Sequence, residues 1–403
     1  MFNKPKTVLI SGASIAGPTL AFWLCKYGFD VTVVERSDTI RGGGYPIDVR
    51  GTAIDVVERM GILPQLQASH IHSKKITFVN PDGSVAGILL PEELTGGMEG
   101  RDIELPRGSL TESLFDLTKL QPVRYMFNDS ISSLNDDGDG VDVTFKSGRR
   151  DRFDLVIGAD GLHSNTRRLT FGEENQFSKY LGYCFNGFTI PNDIGLSHES
   201  VTYATPGRFA ILSAVGDSDT LHAFLTFSSE EPPFTNYQDA DRQRKLTAEM
   251  FADSGWIVPR LVEAMKESAD LYYDIVSQIH MPHWTKGRIA LVGDSAYAAS
   301  FLSGQGSSVA LVGAYILAGE LATHEHHEEA FAAYEKIMRP FAEANQALAG
   351  SGGTFLLPRT CEELEARNQA LAALQLPNQK SMPGDESGKV HSMLRLPDYA
   401  ALL

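Results

Sequence analysis

The residues best placed to do chemistry begin in the stretch "VLISGASIAGPTLAFWL", Val8 to Leu24. Gly12 and Gly17 bracket a short turn, and Glu35 closes the apolar run Val31 to Val34. That order suits a bound pyrophosphate. Gly12 permits a tight turn out of a strand, and Gly17 lets a helix pack closely on a sheet. The helix N-terminus, at Ala16, offers free N–H groups and the positive end of its dipole. Glu35 can accept hydrogen bonds from a ribose, which favours the unphosphorylated adenosine of FAD or NAD over NADP at this position. The fingerprint is incomplete, because Ser14 stands where a second glycine is expected. Serine is the next-smallest polar residue, and its hydroxyl can donate to a phosphate oxygen. The competing reading is the strand–turn–helix of some other α/β domain.

Two further stretches carry turns of the same kind. "DLVIGADGLHSNTRR", Asp154 to Arg168, places an acid, Asp160, in a turn bounded by Gly158 and Gly161. "GRIALVGDSAYAASFLSGQGSSVALVGAYILAGEL", Gly287 to Leu321, places Asp294 after a short apolar run and Gly304-Gln305-Gly306 ahead of a long apolar segment.

These turns need strands to end and helices to begin at the right places. Thr7–Ser11, Val31–Val34, Leu155–Ile157 and Ile289–Val292 read as buried parallel strands, short, β-branched and apolar. Ala16–Tyr27 reads as a helix ended by Gly28, and a second long helix starts near Ser308. The fold class is therefore α/β, with a Rossmann-like domain.

In this order the stretches resemble those of the single-component FAD-dependent aromatic hydroxylases, the group A flavoprotein monooxygenases of the p-hydroxybenzoate hydroxylase class. Asp154, Gly158 to Gly161, Ser164 and Arg167 match the family's D-x-x-x-G-A-D-G-x-x-S-x-x-R stretch without a gap. Gly293, Asp294 and Gly304 to Gly306 match its G-D and later G-Q-G. Arg107, in "LPRGSLTESLF", matches the arginine ahead of a helix that touches the flavin side of FAD. The matches span residues 7 to 350. Two departures stand out: Tyr297 replaces the family histidine, and Ala299 and Phe301 replace the usual loop prolines.

The resemblance implies FAD as cofactor, with NADPH or NADH as a transient co-substrate and O2 as oxidant. It implies a cofactor site of Gly12, Ser14, Ala16, Gly17, Glu35, Arg36, Arg50, Arg107, Asp160, Asp294, Gly304, Gly306 and Ser307. Arg50 follows the glycine-rich "RGGGYPIDVRG", which in the family passes beside the isoalloxazine; a solvated arginine on a surface loop is the alternative. The implied reaction hydroxylates a planar aromatic or polyketide-like substrate through a flavin C4a-hydroperoxide, so no side chain is assigned a catalytic role, His163 included. "LVGAYILAGEL" and "YEKIMRPFAEANQ" look closest to a subset that includes the tetracycline-inactivating monooxygenases. A halogenase or reductase of the same fold and a flavin-binding sensor are the alternatives. Halogenases of the superfamily carry W-x-W-x-I-P, for which Trp23, Trp256 and Trp284 are too far apart.

The domain expectation is discontinuous. Residues 1–74, 101–180 and 281–350 form the FAD-binding domain. Residues 75–100 and 181–280 form an inserted β-sheet substrate domain, and 351–403 a C-terminal helix and tail. "KITFVNPDGSVAGILL" signals a hairpin turning at Asp82–Gly83. The runs between Phe185 and His280 alternate as antiparallel strands with one wet face. Arg208, Phe209, Phe224 and Phe301 are the expected substrate contacts. Arg208 is the one cationic candidate for an acidic or enolic substrate; Tyr203 joins Phe209 and Phe224 as aromatics that could line a pocket for a planar substrate, plain core being the favoured reading for each taken singly. Thr360 and Glu363 form a capping box for a helix with Cys361, Leu364, Leu371 and Leu374 on one face. Met382–Val390 reads as a polar, mobile segment.

A formal net charge of −16 disfavours nucleic-acid and anionic-membrane partners. Three scattered cysteines suggest neither zinc nor disulfides, and a reducing compartment fits them. Val8–Ile10 is too short for a signal-peptide core, and no run elsewhere reads as a spanning helix. A cytoplasmic monomer acting on a small planar molecule, with no metal, is the expectation. "HEHHEE", His324 to Glu329, reads as a solvated corner.

Overall fold

The computed structural model describes residues 6–40, 42, 44–95, 101–233, 239–374 and 385–402. Its organising element is a six-stranded sheet. Ile289–Leu291, Leu155–Gly158, Thr7–Ser11, Asp30–Val34 and Arg124–Met126 run parallel in that spatial order, and the short strand Thr285–Lys286 is antiparallel at one edge. The central strands are buried on both faces, which is why their sequences are continuous apolar runs rather than alternating ones. Ala16–Lys26 and Gly306–Thr323 cover one face, and a three-stranded antiparallel sheet from Ile131 to Phe153 covers the other.

Gly306–Thr323 corrects one expectation. It is long and apolar enough to cross a membrane, yet it is 78% buried inside the protein. It packs between Ala16–Lys26 and the helix His327–Leu356, so its all-round apolar surface is the signature of a core helix. His327–Leu356 runs without a break past residue 350, the expected domain boundary.

A seven-stranded sheet faces the first. Its order is Tyr272–Ile279, Ser178–Pro191, Thr220–Ser228, Arg208–Ala214, Glu199–Thr205, Lys75–Val79 and Val85–Leu89. All pairs are antiparallel except Glu199–Thr205 with Lys75–Val79. The last two strands form the hairpin that turns through Asp82–Gly83. This sheet has no wet face at its centre. Phe251, Val258, Leu261 and Met265, from the segment of two helices after Ala240, pack on one side of it, and the other side faces the first domain.

The C-terminal region is docked. Cys361–Leu374 lays Leu371 and Arg367 on the sheet, while Cys361 is exposed rather than on the packed face. Half of the expected capping box forms, Thr360 Oγ1 accepting from the backbone N–H of Glu363 at 3.2 Å; Glu363 reaches the N–H of Arg359 instead of that of Thr360. Residues 382–384 lie outside the described residues. Asp385–His391, expected to be mobile, is a helix, and the chain after it is held by Thr52 Oγ1 on the carbonyl of Leu394 at 2.8 Å.

Candidate functional site

The glycine turn is shaped by its own backbone. Gly12 has φ +110°, and a Cβ there would stand 2.4 Å from the carbonyl oxygen of Ala159. A Cβ on Gly17 would stand 1.9 Å from the carbonyl oxygen of Gly12. Neither position admits a side chain. Gly17 thus sits behind the turn and holds the helix to it, while Ser11 to Ala16 line a large cavity at the C-terminal edge of the parallel sheet. No side chain caps the Ala16 helix, so its first N–H groups face that cavity unsatisfied by a cap.

Glu35 completes the turn. Its Oε2 accepts from the backbone N–H of Ala13 at 2.9 Å and its Oε1 from that of Ser37 at 3.0 Å. The carboxylate is buried and still lines the cavity, as does Arg36. Ser14 Oγ accepts a hydrogen bond from Arg107 Nη2 at 2.6 Å. The residue in the missing-glycine position therefore anchors Arg107, the arginine of "LPRGSLTESLF" that the family resemblance places near the cofactor.

Asp160 is built into the frame. Its Oδ2 accepts from the backbone N–H and hydroxyl of Thr166, both at 2.9 Å, and its Oδ1 from the Ser164 hydroxyl and from Ser295 Oγ at 3.3 Å. Asp294 opens to the cavity yet is enclosed by protein, which raises its pKa; Arg107 and Arg167 oppose that rise. Gly304, Gly306 and Ser307 line the cavity beside it, at the uncapped start of Gly306–Thr323. The loop lacking prolines is held instead by two buried amides. Gln346 Nε2 donates to the Ala298 carbonyl at 3.2 Å and Gln278 Nε2 to that of Ala299 at 3.1 Å. Tyr297 turns into the core, where Tyr334 donates to its hydroxyl at 3.0 Å.

The far wall is aromatic. Phe185 and Phe224 stack at 5.8 Å, Phe301 stacks on Phe185 at 4.8 Å, and Tyr45 meets Phe224 edge-on at 5.8 Å. Phe209 lines the same cavity. Tyr203 does not, being fully buried in the core behind the sheet.

Two arginines are elsewhere. Arg50 is neither on the cavity wall nor solvated: it is buried, with Nη2 2.6 Å from Asp48 Oδ1, and Asp48 takes the wall position. Arg208 is off the cavity wall and pairs with the exposed Asp253, which follows the first of the two helices that cover the other face of the sheet. Strand alternation explains this, since Phe209 points into the cavity and its neighbour must point away.

One cluster escaped the sequence reading. His163 lines the cavity and bonds Glu174 Oε1 at 2.9 Å and both oxygens of Asp274 at 3.1 Å. Those two hydrogen bonds, Asp274 first, push its pKa up to about 10, so it is an imidazolium at neutral pH. Tyr272 donates its hydroxyl proton to Asp274 Oδ2 at 2.8 Å. The available signal was an acid inside "YYDIVSQI", a strand buried from Tyr273 to Ile279.

Comparison with known proteins agrees with this geometry. The family model described as FAD binding domain matches residues 6–349. An uncharacterized protein of Mycobacterium tuberculosis (strain ATCC 25618 / H37Rv) is 44% identical, covering 89% of this chain and 97% of its own. A flavin-dependent monooxygenase of an unknown prokaryotic organism is 40% identical, covering 92% of this chain and 96% of its own. The crystal structure of the tetracycline destructase Tet(55) superimposes with a TM-score of 0.84 at 36% identity, over 99% of this chain and all of that one. The chain belongs to the FAD-binding-domain family, as one of its flavin-dependent monooxygenases.

Proposed function

We propose that this monooxygenase uses NAD(P)H and O2 to hydroxylate a planar, multi-ring aromatic or polyketide-like substrate, with tetracycline-type antibiotics among the candidates. The observation that carries the reading is that one cavity joins the nucleotide turn to an aromatic wall. Tyr45, Phe185, Phe224 and Phe301 line it together with Asp294, Gly304, Gly306 and Ser307. The residues present fit FAD: the Gly12 cradle that a Cβ would fill, the carboxylate of Glu35 on the cavity wall, and two uncapped helix starts. The likeness to Tet(55) supports the polyketide class.

Bound FAD supplies the redox chemistry, the passage of electrons from a nicotinamide to dioxygen. The chain supplies the rest. Glu35 would hold the adenosine ribose, and the Ala16 helix start with the Ser14–Arg107 pair would hold the pyrophosphate. Gly304–Ser307 would hold the flavin end, where the helix dipole favours negative charge. The aromatic wall stacks on the substrate and keeps water away from the reacting face. A reducing, cytoplasmic setting is consistent with the free Cys25, Cys184 and Cys361.

The test is NADPH and NADH oxidation by the FAD-loaded protein with multi-ring phenols and tetracyclines. At least one of them is expected to accelerate oxidation well above the ligand-free rate. No acceleration by any would count against the hydroxylase reading.

A further inference from the structure

We infer that the substrate end of the cavity takes a neutral or cationic aromatic that presents a hydroxyl or ammonium donor to the phenol oxygen of Tyr272, and that it disfavours aromatic carboxylates. This rests on the proposed hydroxylase reading and narrows its substrate class.

The argument begins with Tyr272. Its one proton goes to Asp274 Oδ2 at 2.8 Å. Asp274 is fixed in turn: His163 lies 3.1 Å from both of its oxygens, and the backbone N–H of Ile275 donates to Oδ1 at 2.8 Å. With its proton directed at a locked carboxylate, the phenol oxygen can only accept from a ligand. Enclosure by the surrounding chain first, and the Asp274 charge next, raise the Tyr272 pKa well above its ordinary value, so it stays a phenol, while the residue remains 47% exposed and open to a ligand. Its ring packs 5.6 Å from Phe185, which puts the acceptor beside the aromatic wall.

Charge points the same way. Among the described residues lining the cavity the arginines are Arg36, next to Glu35, and Arg107, which lies beside Tyr45 and Asp294 but whose Nη2 is directed to Ser14 Oγ at 2.6 Å. The remaining cation, His163, is matched by Asp274 and Glu174. The carboxylates at this end are themselves opposed, Asp48 by Arg50, Asp274 by His163, and Asp294 by Arg107 and Arg167. A ligand carboxylate would therefore find no unpaired cation to meet it. Arg208, the cation expected to meet an acidic substrate, is held outside by Asp253.

The experiment measures dissociation constants from the perturbed visible absorbance of the FAD-loaded protein, without turnover. The probes are β-naphthol, its methyl ether, and a hydroxynaphthoate with the carboxylate on the far ring. The wild type is expected to bind β-naphthol roughly tenfold more tightly than either other probe. Tyr272→Phe should weaken β-naphthol by about tenfold and leave the ether unchanged, which also reports an intact fold. In Asp274→Asn, the amide can donate to Tyr272, freeing the phenol proton for the ligand. The preference should then shift toward the ether, an effect that simple structural damage does not produce. Equal losses for phenol and ether, a carboxylate bound as tightly as the phenol, or no binding of β-naphthol by the wild type would each overturn the inference. Selective binding without turnover would instead count against the hydroxylase reading alone.

Discussion

Arg107 Nη2 donates to Ser14 Oγ at 2.6 Å, joining the nucleotide turn to a helix start far along the chain. The serine that makes the glycine fingerprint imperfect is thereby the acceptor that orients a cationic side chain over the cavity. Ser14→Gly loses this anchor but keeps the turn open, so FAD should remain bound, more weakly by about tenfold or less. Ser14→Val loses the anchor and adds bulk where the backbone meets the pyrophosphate, so FAD should be lost on gel filtration. Flavin fluorescence titration of both variants checks this. A valine variant with full FAD occupancy would show that the phosphates do not approach Ser14.

Glu104 makes stability depend on pH. It lies directly across from Asp48 on the paired strands Pro46–Val49 and Ile103–Pro106. Burial first, then the Asp48 charge, lift its pKa from 4.5 to about 7. Between those values the folded chain keeps a proton that the unfolded chain has released. Stability therefore falls as pH rises from about 4.5 to about 7. Glu104→Gln removes the penalty. The drop in unfolding free energy between mildly acidic and mildly alkaline buffer should shrink by about 2 kcal/mol in the variant. Denaturant titrations at both ends give the number, and an unchanged drop would contradict the assignment.

His163 shifts stability in the same direction with pH, but through a favourable pairing rather than a penalty. Its pKa rises from 6.5 to about 10, so its pairing with Asp274 and Glu174 stabilises the fold fully below 6.5. That stabilisation is lost as pH rises through about 10. The ring is 40% exposed, so screening limits the effect. His163→Gln should cost about 1 kcal/mol at neutral pH, a difference that closes above pH 10. Thermal melts across that range test it, and a cost independent of pH would point to packing rather than charge.

The legible parts of this protein were the local ones. Gly12, Gly17 and Glu35 sit on one strand–turn–helix–strand unit, so their spacing alone states their geometry. The G-Q-G helix start and the Asp160 turn were legible for the same reason. The Tyr272–Asp274–His163 cluster was not, because it forms only when the edge strand of the second sheet meets a turn of the first domain. Arg50 follows a glycine-rich loop and Arg208 is the one cation of its strand, and neither neighbourhood in sequence states which way the side chain turns. Each faces an aspartate, Asp48 and Asp253. The wet face expected of the second sheet was lost to helices whose packing partner the strand pattern does not name.

Incubation with isotopically labelled dioxygen tests the central claim most directly. The FAD-loaded protein, NADPH or NADH and a multi-ring phenol that accelerates nicotinamide oxidation are combined, and the product is weighed by mass spectrometry. The account predicts a product carrying one labelled oxygen atom, with nicotinamide consumed in equal amount. Nicotinamide oxidation that yields only peroxide, or a product oxygen that comes from water, would contradict it.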